Sequence, residues 1–123
     1  MNQVSTPSRL PQSPVATPNV GGTVRQFAIT FDMDTTVLQD SYQLASWQNA
    51  YNDIGRTLSR HGFTRQQGSV YFGDNTVDAV RCVLAVQALS RDHVWFSASV
   101  RDIRMLRIED NSDLMPAVAS VRS

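Results

Sequence analysis

The strongest constraint on this chain is the way its apolar residues change period between Arg25 and Ile108. Phe27, Ile29 and Phe31 alternate with Ala28, Thr30 and Asp32, the period of a strand with one apolar face. Leu44, Trp47, Tyr51, Ile54 and Leu58 then recur every three or four residues, the seam of an amphipathic helix. Gly62 follows as its C-terminal cap. Between Phe63 and Phe72 two short strand-like runs flank Gly68 and read as a tight hairpin. A second helix is expected from about Thr76 to Ser90, capped by Asn75, with Val77, Val80, Leu84 and Ala88 facing inward. A last strand runs from Ser99 to Ile108. Strand, helix, two strands, helix, strand is the order of a ferredoxin-like βαββαβ sandwich, an α+β fold whose antiparallel sheet carries two helices on one face.

Ahead of this pattern the chain has another character. Residues 1–24 hold four of the five prolines, Pro7, Pro11, Pro14 and Pro18, among serine, threonine, glutamine and asparagine, with no aromatic residue. Such a segment buries too little apolar surface to offset the entropy of ordering it. It reads as a disordered tail, passive or lying upstream of the true start, and residues 25–123 read as the folded domain.

A domain of this size buries only about 60% of its unfolded surface or slightly more, so pairing with a second copy is a common source of stability. The last strand strengthens that expectation. Its alternation sets Ile103 and Met105 on one side and Val100, Leu106 and Ile108 on the other. Apolar residues on both sides imply cover on both, by a second chain or by the stretch around Leu114, Met115 and Pro116. Acidic and basic side chains number 11 each, so any nucleic acid must be met by a local patch and not by a global field. All the basic side chains are arginine, whose planar fork suits phosphate and carboxylate. The single cysteine, Cys82, excludes an intrachain disulfide or a thiolate cluster and reads as a core residue. No run approaches the roughly 18 apolar residues of a membrane span, and no secretory signal opens the chain, so a cytoplasmic location without membrane contact is expected.

Two constellations carry chemistry. Asp32 ends the first strand and is followed by Met33 and Asp34. A carboxylate there is held rigidly yet reaches solvent, a post for a divalent cation such as Mg²⁺ or for a general base. Aspartate equally favours a strand-end turn or a helix cap. In the second, Asp102 stands among Arg101, Arg104 and Arg107. The arginines could hold RNA phosphates while Asp102 orients a group or a metal. Alternatively, Asp102 and Arg104, on one strand face, form a salt bridge. Tyr71 and Phe72 could stack a base or belong to the core. His61 and His93 sit at helix ends, where the helix dipole alone favours them.

Three separated stretches resemble one family. Phe27-Ala28-Ile29-Thr30-Phe31-Asp32-Met33-Asp34, Gly62 to Gly73, and Ser99-Val100-Arg101-Asp102-Ile103-Arg104 are similar to the signature segments of bacterial virulence-associated protein D. The resemblance runs from about Gln26 to Val118, includes the helices between, and excludes the tail. It implies a homodimeric ferredoxin-like endoribonuclease, related in fold to the small dimeric CRISPR-associated nuclease, with some members acting as the toxin of a toxin–antitoxin pair. Carried over by position, it implies catalytic roles for Asp32, the hairpin serine Ser69 and Asp102, with Asp34 secondary. Leu38 falls at or beside the loop position expected to meet RNA, and Arg101 and Arg104 would position the phosphodiester. Asp32 and its copy in the other subunit would hold one Mg²⁺. Two other classes stay open at this point: a non-catalytic nucleic-acid or protein-binding module, and a structural partner of a second small protein.

Overall fold

The first strand, β1 (Gln26–Met33), runs between two antiparallel neighbours, β3 (Val70–Gly73) and β4 (Val100–Ile108). The hairpin strand β2 (Phe63–Gln67) pairs outside β3, so the sheet order is β2-β3-β1-β4. This is the ferredoxin-like order expected from the sequence. The computed structural model describes residues 26–42 and 46–122. The expected tail and the seam residue Leu44 lie outside them.

Burial follows the alternation of β1. Ile29, Phe31 and Met33 enter the core beside Tyr71 and Phe63, on the face covered by helices. Phe31 stacks on Tyr71 and meets Phe96 edge-on, each with ring centroids 6.1 Å apart. Tyr71 is therefore a core residue, whereas Phe72 points to the other face opposite Ala28. Gly62 and Gly68 have φ of +91° and +48°, the left-handed backbone that the helix end and the hairpin turn require.

The helices depart from expectation in number and boundary. A short α1 (Thr35–Ser41) follows β1 directly, and α2 (Asn49–Ser59) begins after a turn that holds Trp47. Helix α3 spans Ala79–Asp92, and its N-cap is Asp78, not Asn75. The reason is local. Asp74 accepts hydrogen bonds from the backbone N–H and hydroxyl of Thr76, fixing a turn where the helix was expected to start. Asp78 then accepts from Arg81 N at 2.8 Å. Because α3 starts later, its inward face is Cys82, Ala85, Ala88 and Leu89; Val80 and Leu84, expected inside, are 65% and 48% exposed. Small residues on that face let the helix approach the sheet closely. Two further helices, α4 (Val94–Ser99) and α5 (Met115–Ser120), gave no clear periodic signal.

The last strand also corrects one orientation. A register shift pairs Asp32 with Asp102 but Met33 with Val100, leaving Arg101 as the extra residue of a bulge. Val100 is thereby turned to the core with Ile103, not away from it. Met105 shares that face, while Leu106 and Ile108 lie across from Ala28 and Gln26 on the other.

The cap assignment has a direct test by urea denaturation. Asp78→Ala should cost about 1 kcal/mol of stability, the usual loss for an N-cap. Asn75→Ala should stay within about 0.5 kcal/mol.

Candidate active site

In an antiparallel sheet, neighbouring strands begin where the central one ends. The end of β1 therefore meets the starts of β3 and β4, and three expected site residues converge there. Asp32 and Asp102 are directly opposed across the β1–β4 ladder, on the face away from the helices. Ser69 reaches the same end: its carbonyl oxygen accepts a hydrogen bond from Phe31 N at 3.2 Å, extending the β1–β3 ladder by one link.

Two carboxylates directly opposite on one face repel each other. Each has its own arginine. Arg104 Nε lies 3.0 and 3.1 Å from the two Asp102 oxygens, and Arg101 Nε lies 3.8 Å from Asp32 Oδ2. The bulge aims Arg101, since the extra residue leaves the alternation of β4 and turns toward the end of β1. Both pairs are well exposed, with side-chain exposures of 50 to 69%, so each contributes little to stability and can be exchanged for other ions. The arrangement is a charge-balanced quartet, held by backbone pairing, that offers carboxylates to a cation and guanidinium groups to an anion.

The other candidates separate clearly. Asp34 has a structural role: Oδ1 accepts from Val37 N at 3.0 Å and caps α1, and its backbone N–H donates to Ser99 O at 2.7 Å. Leu38, expected at RNA, is fully buried in the core with no exposed side chain, so it acts by packing. Arg107 pairs with Glu109. Both histidines are engaged with Thr57. His61 Nδ1 lies 3.1 Å from its carbonyl oxygen and His93 Nε2 lies 3.1 Å from its hydroxyl. Cys82 is buried, and burial pushes its thiol up in pKa, away from nucleophilic use. Among the described residues no group of three His, Cys, Asp or Glu side chains could cage a metal.

Tyr51 of α2, on the helix seam and partly buried against the core, has its hydroxyl pushed up in pKa, first by burial and then by the Asp32 carboxylate.

A ferredoxin-like sheet with opposed acids and paired arginines at the end of its central strand defines a small α+β domain with a polar site on its open face. The chain is 50% identical over 93 residues to "Endoribonuclease VapD 2" of Riemerella anatipestifer, covering 76% of this chain and 99% of the relative. It is 47% identical over 95 residues to "Endoribonuclease VapD homolog" of Helicobacter pylori, covering 77% and 98%. To "Endoribonuclease VapD" of Haemophilus influenzae it is 43% identical over 89 residues, covering 71% and 91%. No protein-family model matches the chain. The chain belongs to the virulence-associated protein D (VapD) family.

The division between site and core is measurable as stability. Leu38→Ala should lose about 2–5 kcal/mol in denaturant unfolding, as for a deeply buried leucine. Asp32→Ala should unfold within about 0.5 kcal/mol of wild type, as for an exposed side chain.

Proposed function

We propose that the protein is an endoribonuclease that cleaves RNA phosphodiester bonds at the Asp32–Asp102 end of the sheet. The observation that carries this reading is the opposed carboxylate pair with an arginine beside each acid, in a chain whose relatives are named endoribonucleases. Arg101 exchanges its carboxylate for an oxygen of the scissile phosphate, and Arg104, still held by Asp102 through Nε, offers its remaining donors to another. Asp32, freed from Arg101, takes the proton from the attacking oxygen as general base while that oxygen bonds to phosphorus; the P–O bond to the leaving oxygen breaks, and the leaving oxygen takes a proton from water. Asp102 keeps Arg104 aligned, and in this reading the Ser69 hydroxyl, in the turn before β3, donates to a phosphate oxygen.

A Mg²⁺ ion fits this donor set, because it needs only one or two carboxylates while waters and phosphate oxygens complete its shell. Asp32 would hold it, with Asp102 or the Asp32 of a second copy as the other carboxylate. When bound, the ion supplies charge stabilisation to the transition state and lowers the pKa of the attacking oxygen.

The working unit in this reading is a homodimer. Strand β4 is the end strand of the sheet, nine residues long, with Met105 49% and Leu106 48% exposed. Val83 of α3, itself half-exposed, lines one shallow cleft with Met105, so apolar surface continues from helix to strand. A long edge strand presents a row of unpaired backbone groups that another chain can meet, here beside the exposed Met105 and Leu106. A role as the toxin of a toxin–antitoxin pair, opposed by a small antitoxin protein, belongs to the same proposal and is supported by the family resemblance alone. For membranes, no described helix is long and apolar enough to cross one.

The test is cleavage of a defined RNA by wild type and Asp32→Ala, with Mg²⁺ or with chelator, each protein weighed by light scattering. Wild type should cut as a particle of twice the chain mass. Asp32→Ala should keep that mass and lose about 10²–10⁴-fold in rate, the usual contribution of a general base. Equal rates would remove Asp32 from the chemistry. RNA binding without cleavage under any divalent ion would leave a binding module in place of an enzyme.

A further inference from the structure

A groove of about 650 Å³ runs between α2 and β2, on the helix side of the molecule and apart from the acidic pair. Its walls carry three arginines. Arg56 on α2 and Arg60 at its C-cap stand one turn apart, and Arg65 faces them from β2. Among the described residues no carboxylate lines it. The ion pairs that these arginines make are loose or leave donors over. Arg60 lies 3.8 Å from Asp92, both being well exposed, and Arg56 pairs with its helix neighbour Asp53 while remaining 66% exposed. Arg65 uses Nε on Gly68 O at 2.8 Å, which leaves the rest of its five-donor fork.

The groove also has a shaped floor. Gly55 sits within α2, although glycine is a poor residue in a helix interior. A Cβ there would stand 3.2 Å from the Tyr71 hydroxyl oxygen, so glycine lets Tyr71 reach across under the helix and keeps the groove open. Tyr51 lines one part of it, partly buried against the core and partly open to the groove.

We infer that this groove binds the single-stranded flank of the RNA, with Arg56, Arg60 and Arg65 on successive phosphates and Tyr51 stacked on a base. Arginines along a groove track a backbone without reading its sequence, and an aromatic face accepts any base. An acidic protein surface would use the arginines but not the ring. The inference rests on the nuclease reading and deepens it by giving the substrate's flank a binding surface, yet binding is measurable without cleavage.

The experiment is fluorescence anisotropy with a labelled 12-residue 2′-O-methyl oligouridine in chelator, over a range of salt concentrations, on proteins matched by circular dichroism. Each phosphate contact on a single strand adds about 0.7 to the slope of log affinity against log salt. The triple variant Arg56→Gln, Arg60→Gln, Arg65→Gln should therefore bind more weakly, with a slope shallower by about 2. Tyr51→Leu should weaken binding by roughly 5- to 150-fold, the range of one lost stack, at unchanged slope. Arg81→Gln, on α3 outside the groove, should match wild type. An unchanged slope in the triple variant, or no binding by wild type, overturns the inference. A shallower slope with no effect of Tyr51→Leu assigns the groove to polyanions such as an acidic protein, and overturns the RNA assignment. Binding as expected by a protein that never cuts RNA removes the nuclease reading and leaves the groove standing.

Discussion

The alternation of one strand, β1, underlies the whole arrangement. Phe31 turns inward, packed between Tyr71 and Phe96, and Asp32 beside it must then turn outward. The aromatic contacts continue from Phe96 to Trp95 and on to Tyr42 and His93, so the inward side is anchored across several elements. Ladders on both flanks fix the height at which Asp32 emerges. A carboxylate on such a strand has little freedom to relax away from Asp102. The repulsion between them is met by placing arginines, and the bulge at Arg101 is the backbone device that places one.

Much of this was legible in the sequence because period two and the period of a helix are hard to confuse over long runs. The order of strands and helices, the positive-φ glycines Gly62 and Gly68, and the Asp102–Arg104 pair all follow from local pattern. What was not legible involved competition between two acceptable local solutions. Helix α3 has apolar residues on both faces, Val80 and Leu84 on one and Cys82, Ala85 and Leu89 on the other. Close packing on the sheet selected the smaller set, and the Asp74 turn delayed the start. The bulge was hidden for a similar reason, since one extra residue leaves composition unchanged while reversing Val100. Helix α1 is too short to display a period, so no local pattern opposed the loop position that the resemblance gives Leu38, which lies in the core.

Of the expected site, Asp32, Ser69, Asp102, Arg101 and Arg104 gather at one end of the sheet, through topology more than through sequence proximity. The groove beyond Tyr51 could not be read from composition, because the chain is neutral overall and its arginines are scattered along the sequence. Folding brings Arg56, Arg60 and Arg65 to one groove lined, among the described residues, by no acid. A neutral protein thus acquires a local surface that can steer a polyanion.

The claim at the centre is that Asp32 and Asp102 work as one unit across the β1–β4 ladder. A double-mutant cycle in kcat/KM for RNA cleavage, with Asp32→Asn, Asp102→Asn and the pair, tests it most directly. Residues acting together are strongly non-additive, so the double variant should be no slower than the worse single one. Losses that multiply would show two independent contributions and contradict the account.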